Sequence, residues 1–175
     1  MRAYDYLYAS QLIWKNRPIA NSLLSPSLYL ICHAIELTLK ANLLMTGVAP
    51  KEVRKFSHRI DELWYAEQNT ELRQAANEIE CKLSSGDHKV VEKTIVQLAP
   101  VYWGPKGEFS LKYESEPDAS SPVPNITLPV FVSLARIGIF QVMENLDNLE
   151  NKPEGLEDFR TLVQNSYYTN WNPLY

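Results

Sequence analysis

"YLICHAIELTLKANLLMTG", running from Tyr29 to Gly47, is the stretch whose reading decides the fold. Most of its residues are apolar, as in a helix packed on several sides. Ser25-Pro26, just upstream, is a start signal: serine can cap free backbone amides, and proline suits a first turn. Gly47 is a stop signal, because glycine tolerates the left-handed conformation past a helix end. The spacing predicts a helix of about 21 residues, ~30 Å long at ~1.5 Å per residue. It is expected to be the central helix of the domain.

Three ionisable residues, His33, Glu36 and Lys40, interrupt this apolar run. At about 100° per residue they fall with Tyr29 inside a sector of roughly 60°, so they form one stripe. Glu36 and Lys40 stand four apart with the acid first, the better order for an ion pair. The stripe has three readings. It is the solvated edge of a bundle helix, a buried or interfacial network that sets register or dimer geometry, or a site. Ser27, Thr38 and Asn42 lie on the opposite side and could equally be the solvent face, which would turn the stripe inward.

Outward from this helix the chain reads as mostly helical. Tyr4, Leu7, Tyr8 and Leu12 have helical spacing within 3–16, and Pro18 ends that element. "VAPKEVRKFSHRIDELWYAEQ" is a second helical stretch, with Ser57 as a cap for a new turn. "NTELRQAANEIECKLSSG" is a third, and Asp87 is the expected cap of "HKVVEKTIVQLA", which should end at Pro100. Glycine, proline and alternation around Phe109, Leu111 and Tyr113 then predict a small β-hairpin or strand near residues 101–115. Another long helix follows from Thr127. The expected fold is all-α: an up-and-down bundle of four to five main helices with that small β insertion. Residues 1–150 form the bundle, and 151–175 a C-terminal tail with a short helix and an aromatic docking segment.

The chain has 175 residues, 45% hydrophobic and 22% charged, with a net charge of −4. This is the composition of an ordinary globular domain, and its charge does not favour nucleic acid over the whole surface. Cys32 and Cys81 are the only cysteines, with no Cys/His cluster, so no metal site, disulfide framework or cofactor is expected. Both are read as buried thiols in a reducing compartment. The N-terminus lacks a signal-peptide core, and charges break the longest apolar run. The chain is therefore read as cytoplasmic, with no membrane partner.

No P-loop, GxGxxG, HExxH, GxSxG or CxxC occurs. The most basic segment is "KEVRKFSHR", where Arg54, Lys55, His58 and Arg59 are candidates for RNA or phosphate binding, against the plainer reading of a solvated face. His58 also reads as a residue orienting a helix start through Asp61. Trp14, Trp64, Trp103 and Trp171 are dispersed, and packing explains them.

The pattern "SLYLICHAIELTLKANLLMTG" followed by "KFSHRIDELWYAE" resembles the HEPN superfamily of prokaryotic helical bundles. Ala34, Glu36, Leu39, Lys40, Ala41 and Gly47 match the family's A-x-E-x-x-L-K-A helix and its glycine. Ser57, His58, Ile60 and Leu63 match a following helix start loosely, with Arg59 where that start carries Asp. The resemblance covers 27–66 well and 108–149 weakly. It implies a helical bundle, a homodimer or a cognate protein partner, and a defence or toxin–antitoxin setting. Many members are ribonucleases with Arg, four to six residues, then His on a late helix. Here no His follows Arg136 or Arg160. The resemblance therefore implies a non-catalytic dimeric scaffold, regulator or RNA binder. One alternative is a metal-independent endoribonuclease with a displaced site drawn from His33, Glu36, Lys40 and His58, joined by Arg54. Another is a small-ligand-binding bundle. The displaced site requires the start of the second helical stretch to approach the polar stripe.

Overall fold

The structure is a computed structural model, which describes residues 2–15, 24–83, 89–104 and the positions 130, 131 and 134. All of these belong to one compact unit, Met1–Ala135. Helices α1 (Arg2–Lys15), α2 (Leu24–Met45), α3 (Pro50–Lys55) and α4 (Ile60–Tyr65) are followed by a 3₁₀ turn (Glu67–Asn69), α5 (Thr70–Leu83) and α6 (Val90–Tyr102). The described residues are mostly helical and contain no strand, in agreement with the all-α class. The predicted β insertion is corrected at its margin: Val101 and Tyr102 are the last residues of α6, which runs through Pro100. Residues 105–115 lie outside the described residues, as do Asp87, His88 and the expected tail, 151–175.

Helix α2 is the core element. It packs against α1, α3, α4, α6 and the 3₁₀ turn. Leu28, Ile31, Ile35, Leu39 and Leu43 are completely buried along it, each contributing about 1.5–3 kcal/mol by removal from water. The segment Pro26–Met45 is also long and apolar enough, by length and composition alone, to cross a membrane, and half of it is buried inside the protein. Serines allow close approach to α1: the Ser10 and Ser27 hydroxyls lie 3.0 Å apart, and Ser10 Oγ also donates to the Ser27 carbonyl. Thr38 returns its hydroxyl to the Ala34 carbonyl at 2.8 Å.

The C-terminus of α2 follows its sequence signal. Gly47 has φ +88°, Val48 N–H donates to Leu43 C=O at 2.9 Å, and Gly47 N–H to Leu44 C=O at 3.1 Å. This pair of bonds is a Schellman ending.

The second helical stretch is not continuous. It divides into α3, α4 and the 3₁₀ turn, and Ser57 does not cap α4. Ser57 instead takes φ +51° in the turn between α3 and α4. Carbonyls in the last turn of α4 and just past it find side-chain donors. Arg73 reaches back to Trp64 C=O and, at 2.9 Å, to Ala66 C=O. Asn69, fully buried, donates to Leu63 C=O at 2.7 Å and accepts from Asn42 at 2.9 Å. At the start of α6, Glu80 of α5 accepts Val90 N–H at 2.6 Å and Val91 N–H at 3.1 Å. These are orphan donors of a helix N-terminus, and a carboxylate there meets the positive end of the helix dipole. Trp64 and Phe131 pack with ring centres 6.2 Å apart. Cys32 is buried, whereas Cys81 is exposed on α5, against the expectation that both are buried.

Candidate functional site

The polar stripe of α2 faces inward. Glu36 has 4% of its side chain exposed, while Lys40 has 20% and His33 24%. The solvated-edge reading of the stripe is overturned for Glu36, because two other elements close over it. The turn between α3 and α4 brings His58, and the end of α6 brings Tyr102.

Three side chains, Lys40, Tyr102 and His58, hydrogen-bond to one carboxylate. Lys40 Nζ donates to Glu36 Oε1 at 2.7 Å, and Tyr102 Oη–H donates to Oε2 at 2.6 Å. His58 Nδ1 lies 3.1 and 3.0 Å from the two oxygens. His33 Nδ1 lies 3.1 Å from Tyr102 Oη and 3.6 Å from Glu36 Oε2. The Lys40 ammonium also donates to the Ser57 carbonyl, which ties α2 to the left-handed turn. One network therefore joins α2, the α3–α4 turn and the end of α6.

Burying a carboxylate is costly unless its lone pairs are taken up. Burial pushes the Glu36 pKa upward, but the nearby His33 ring and the hydrogen bonds from Lys40, Tyr102 and His58 outweigh it and hold the carboxyl well below the usual carboxylate range. The same contact acts in reverse on Tyr102. Burial and the adjacent Glu36 charge push its hydroxyl far above the ordinary tyrosine range, so it stays a donor. Burial likewise pushes the Cys32 thiol up, so it is an unreactive core group.

Aromatic rings surround the two imidazoles. Tyr6 meets His33 edge-on at 4.7 Å, and Tyr29 lies parallel to it at 6.0 Å. Trp103 lies 4.6 Å from His58, whose side chain is 32% exposed. Trp103 thus belongs to this cluster instead of being a dispersed packing residue.

The displaced-site candidates His33, Glu36, Lys40 and His58 are therefore brought together. The basic candidates are not drawn into the network. Arg54, Lys55 and Arg59 are exposed. Lys55 pairs with Glu52 at 2.5 Å, and Arg59 with Glu62 at 2.7 Å. Such exposed pairs are worth little and exchange readily. His58 is oriented by Glu36, not by Asp61. Sequence reasoning missed Tyr102, because Pro100 reads as a helix end, and missed the Ser57 carbonyl, because a backbone group carries no sequence signal.

Among the described residues no group of three or more His, Cys, Asp or Glu side chains is arranged to hold a metal ion. The chemistry the cluster offers is that of two partly exposed imidazoles held by an ionised carboxylate. No protein-family model, curated protein or solved structure matches the chain.

Proposed function

We propose that this chain is a non-catalytic, HEPN-like helical module that acts as a dimeric scaffold or regulator, or binds RNA, in a cytoplasmic defence or toxin–antitoxin setting. The reading includes an up-and-down bundle of four to five main helices and a homodimer or cognate protein partner. One observation carries it. The charges of the stripe are spent on one another: Glu36 takes the Lys40 ammonium at 2.7 Å and the Tyr102 hydroxyl at 2.6 Å. A cation so engaged is poorly placed to stabilise a reacting phosphate, and a hydrogen-bonded network joining three elements is suited to holding helices in register. Exposed Arg54, Lys55 and Arg59 leave a surface for phosphate contacts. Size-exclusion chromatography with light scattering tests the reading: a dimer is expected at tens of micromolar, and a clean monomer counts against it.

A second reading, the metal-independent endoribonuclease, is favoured by the convergence of His33, Glu36, Lys40 and His58. An imidazole can take or give a hydroxyl proton. Incubation with total RNA separates the two. Under the first reading neither the wild type nor a His33→Ala/His58→Ala double variant cleaves. Under the second only the wild type does.

A further inference from the structure

We infer that Glu36 is a positioning residue that fixes neutral His33 and His58 in the same tautomer, with the proton on Nδ1. In both rings Nε2 is then the atom that carries the lone pair.

The assignment follows from counting protons. An ionised carboxylate can only accept hydrogen bonds. His58 Nδ1 lies 3.0 Å from Glu36 Oε2, so it must carry the proton in that bond. Tyr102 has one hydroxyl proton and spends it on Oε2 at 2.6 Å. Its oxygen can then only accept, so His33 Nδ1, at 3.1 Å, must be the donor there as well. One carboxylate therefore orients two rings, His58 directly and His33 through a tyrosine hydroxyl. A carboxylate that orients an imidazole in this way decides which nitrogen takes or gives a proton.

The same counting predicts a switch at one ring. In Glu36→Gln the side chain has one acceptor and one donor end. Lys40 can only donate, and it occupies the Oε1 position at 2.7 Å, so the amide oxygen stays there. The NH₂ group then takes the Oε2 position, facing His58 Nδ1 and the Tyr102 hydroxyl. His58 Nδ1 lies 3.1 Å from the retained oxygen, so it keeps its proton and donates there. Tyr102 accepts from the amide, and its released proton turns to His33 Nδ1, which moves that ring to the Nε2–H form.

Long-range ¹⁵N–¹H correlation of the histidine rings in the full chain, at about pH 8.5 where ordinary imidazoles are neutral, reads the tautomer directly. The wild type should show the Nδ1–H pattern for His33 and His58, and Glu36→Gln the Nε2–H pattern for His33 with His58 still Nδ1–H. Tyr102→Phe should release His33 and leave His58 in the Nδ1–H form, which keeps the test open if Glu36→Gln does not fold. A structural role alone would move stability and leave the ring nitrogens unassigned. Wild-type rings in the Nε2–H form, or a Glu36→Gln spectrum unchanged from wild type, would overturn the inference.

Discussion

The Tyr102 hydroxyl donates to Glu36 Oε2 at 2.6 Å, joining residues 66 positions apart. Tyr102 is fully buried, so the bond cannot be replaced by bulk water when its donor is removed. Tyr102→Phe keeps the ring packing and deletes only the hydroxyl. Hydrogen bonds to charged groups are worth about 1.5–3 kcal/mol, and the variant should lose that much stability. Urea denaturation checks it, with the midpoint falling and the slope unchanged.

The depressed Glu36 carboxyl makes stability depend on pH in one direction. Its folded pKa lies below its unfolded value, so the stabilisation is complete above the unfolded range, about 4.3, and is lost as the pH falls through the folded pKa. Melting temperatures measured from neutral pH down to about 2.5 should therefore drop in the wild type below roughly pH 4.3. In Glu36→Gln the starting temperature should be lower and the acid-dependent drop smaller. Parallel curves for the two proteins would rule this linkage out.

Glu80 should act as the N-terminal cap of α6 although it belongs to α5. Its carboxylate takes the amides of Val90 and Val91, and its side chain is buried. Glu80→Ala leaves both donors without that partner, at a cost of about 1–3 kcal/mol. Glu80→Gln should recover part of it, since the amide oxygen still accepts one bond. Amide hydrogen exchange at Val90 and Val91 should accelerate most in the alanine variant.

Gly47 offers a clean measure of backbone strain. Its φ is +88°, and a Cβ built there would meet nothing within 4 Å. The cost of Gly47→Ala is therefore conformational only, about 1–2 kcal/mol for a left-handed residue. Chemical denaturation should find Gly47→Asn less damaging than Gly47→Ala, because asparagine tolerates this region better.

Local signals were legible where the physics is local. The long apolar run and the glycine after it predicted α2 and its left-handed stop, since both depend on neighbours within one or two turns. Ser57 shows where such reasoning fails: a serine before a helical pattern reads as a cap, yet the backbone there is left-handed and its carbonyl serves the Lys40 ammonium of another helix. Glu80 fails in the opposite way, because a mid-helix glutamate has no mark identifying it as the cap of the next helix.

By itself the sequence determined the helical class, the extent of α2, and the phase that groups His33, Glu36 and Lys40 on one side of it. Helical periodicity sets the angle between side chains but not what lies across from them. Only the tertiary structure decided that this side faces inward, because two of the donors that make a buried carboxylate tolerable come from His58 and Tyr102, 22 and 66 residues further along the chain, beside the local Lys40.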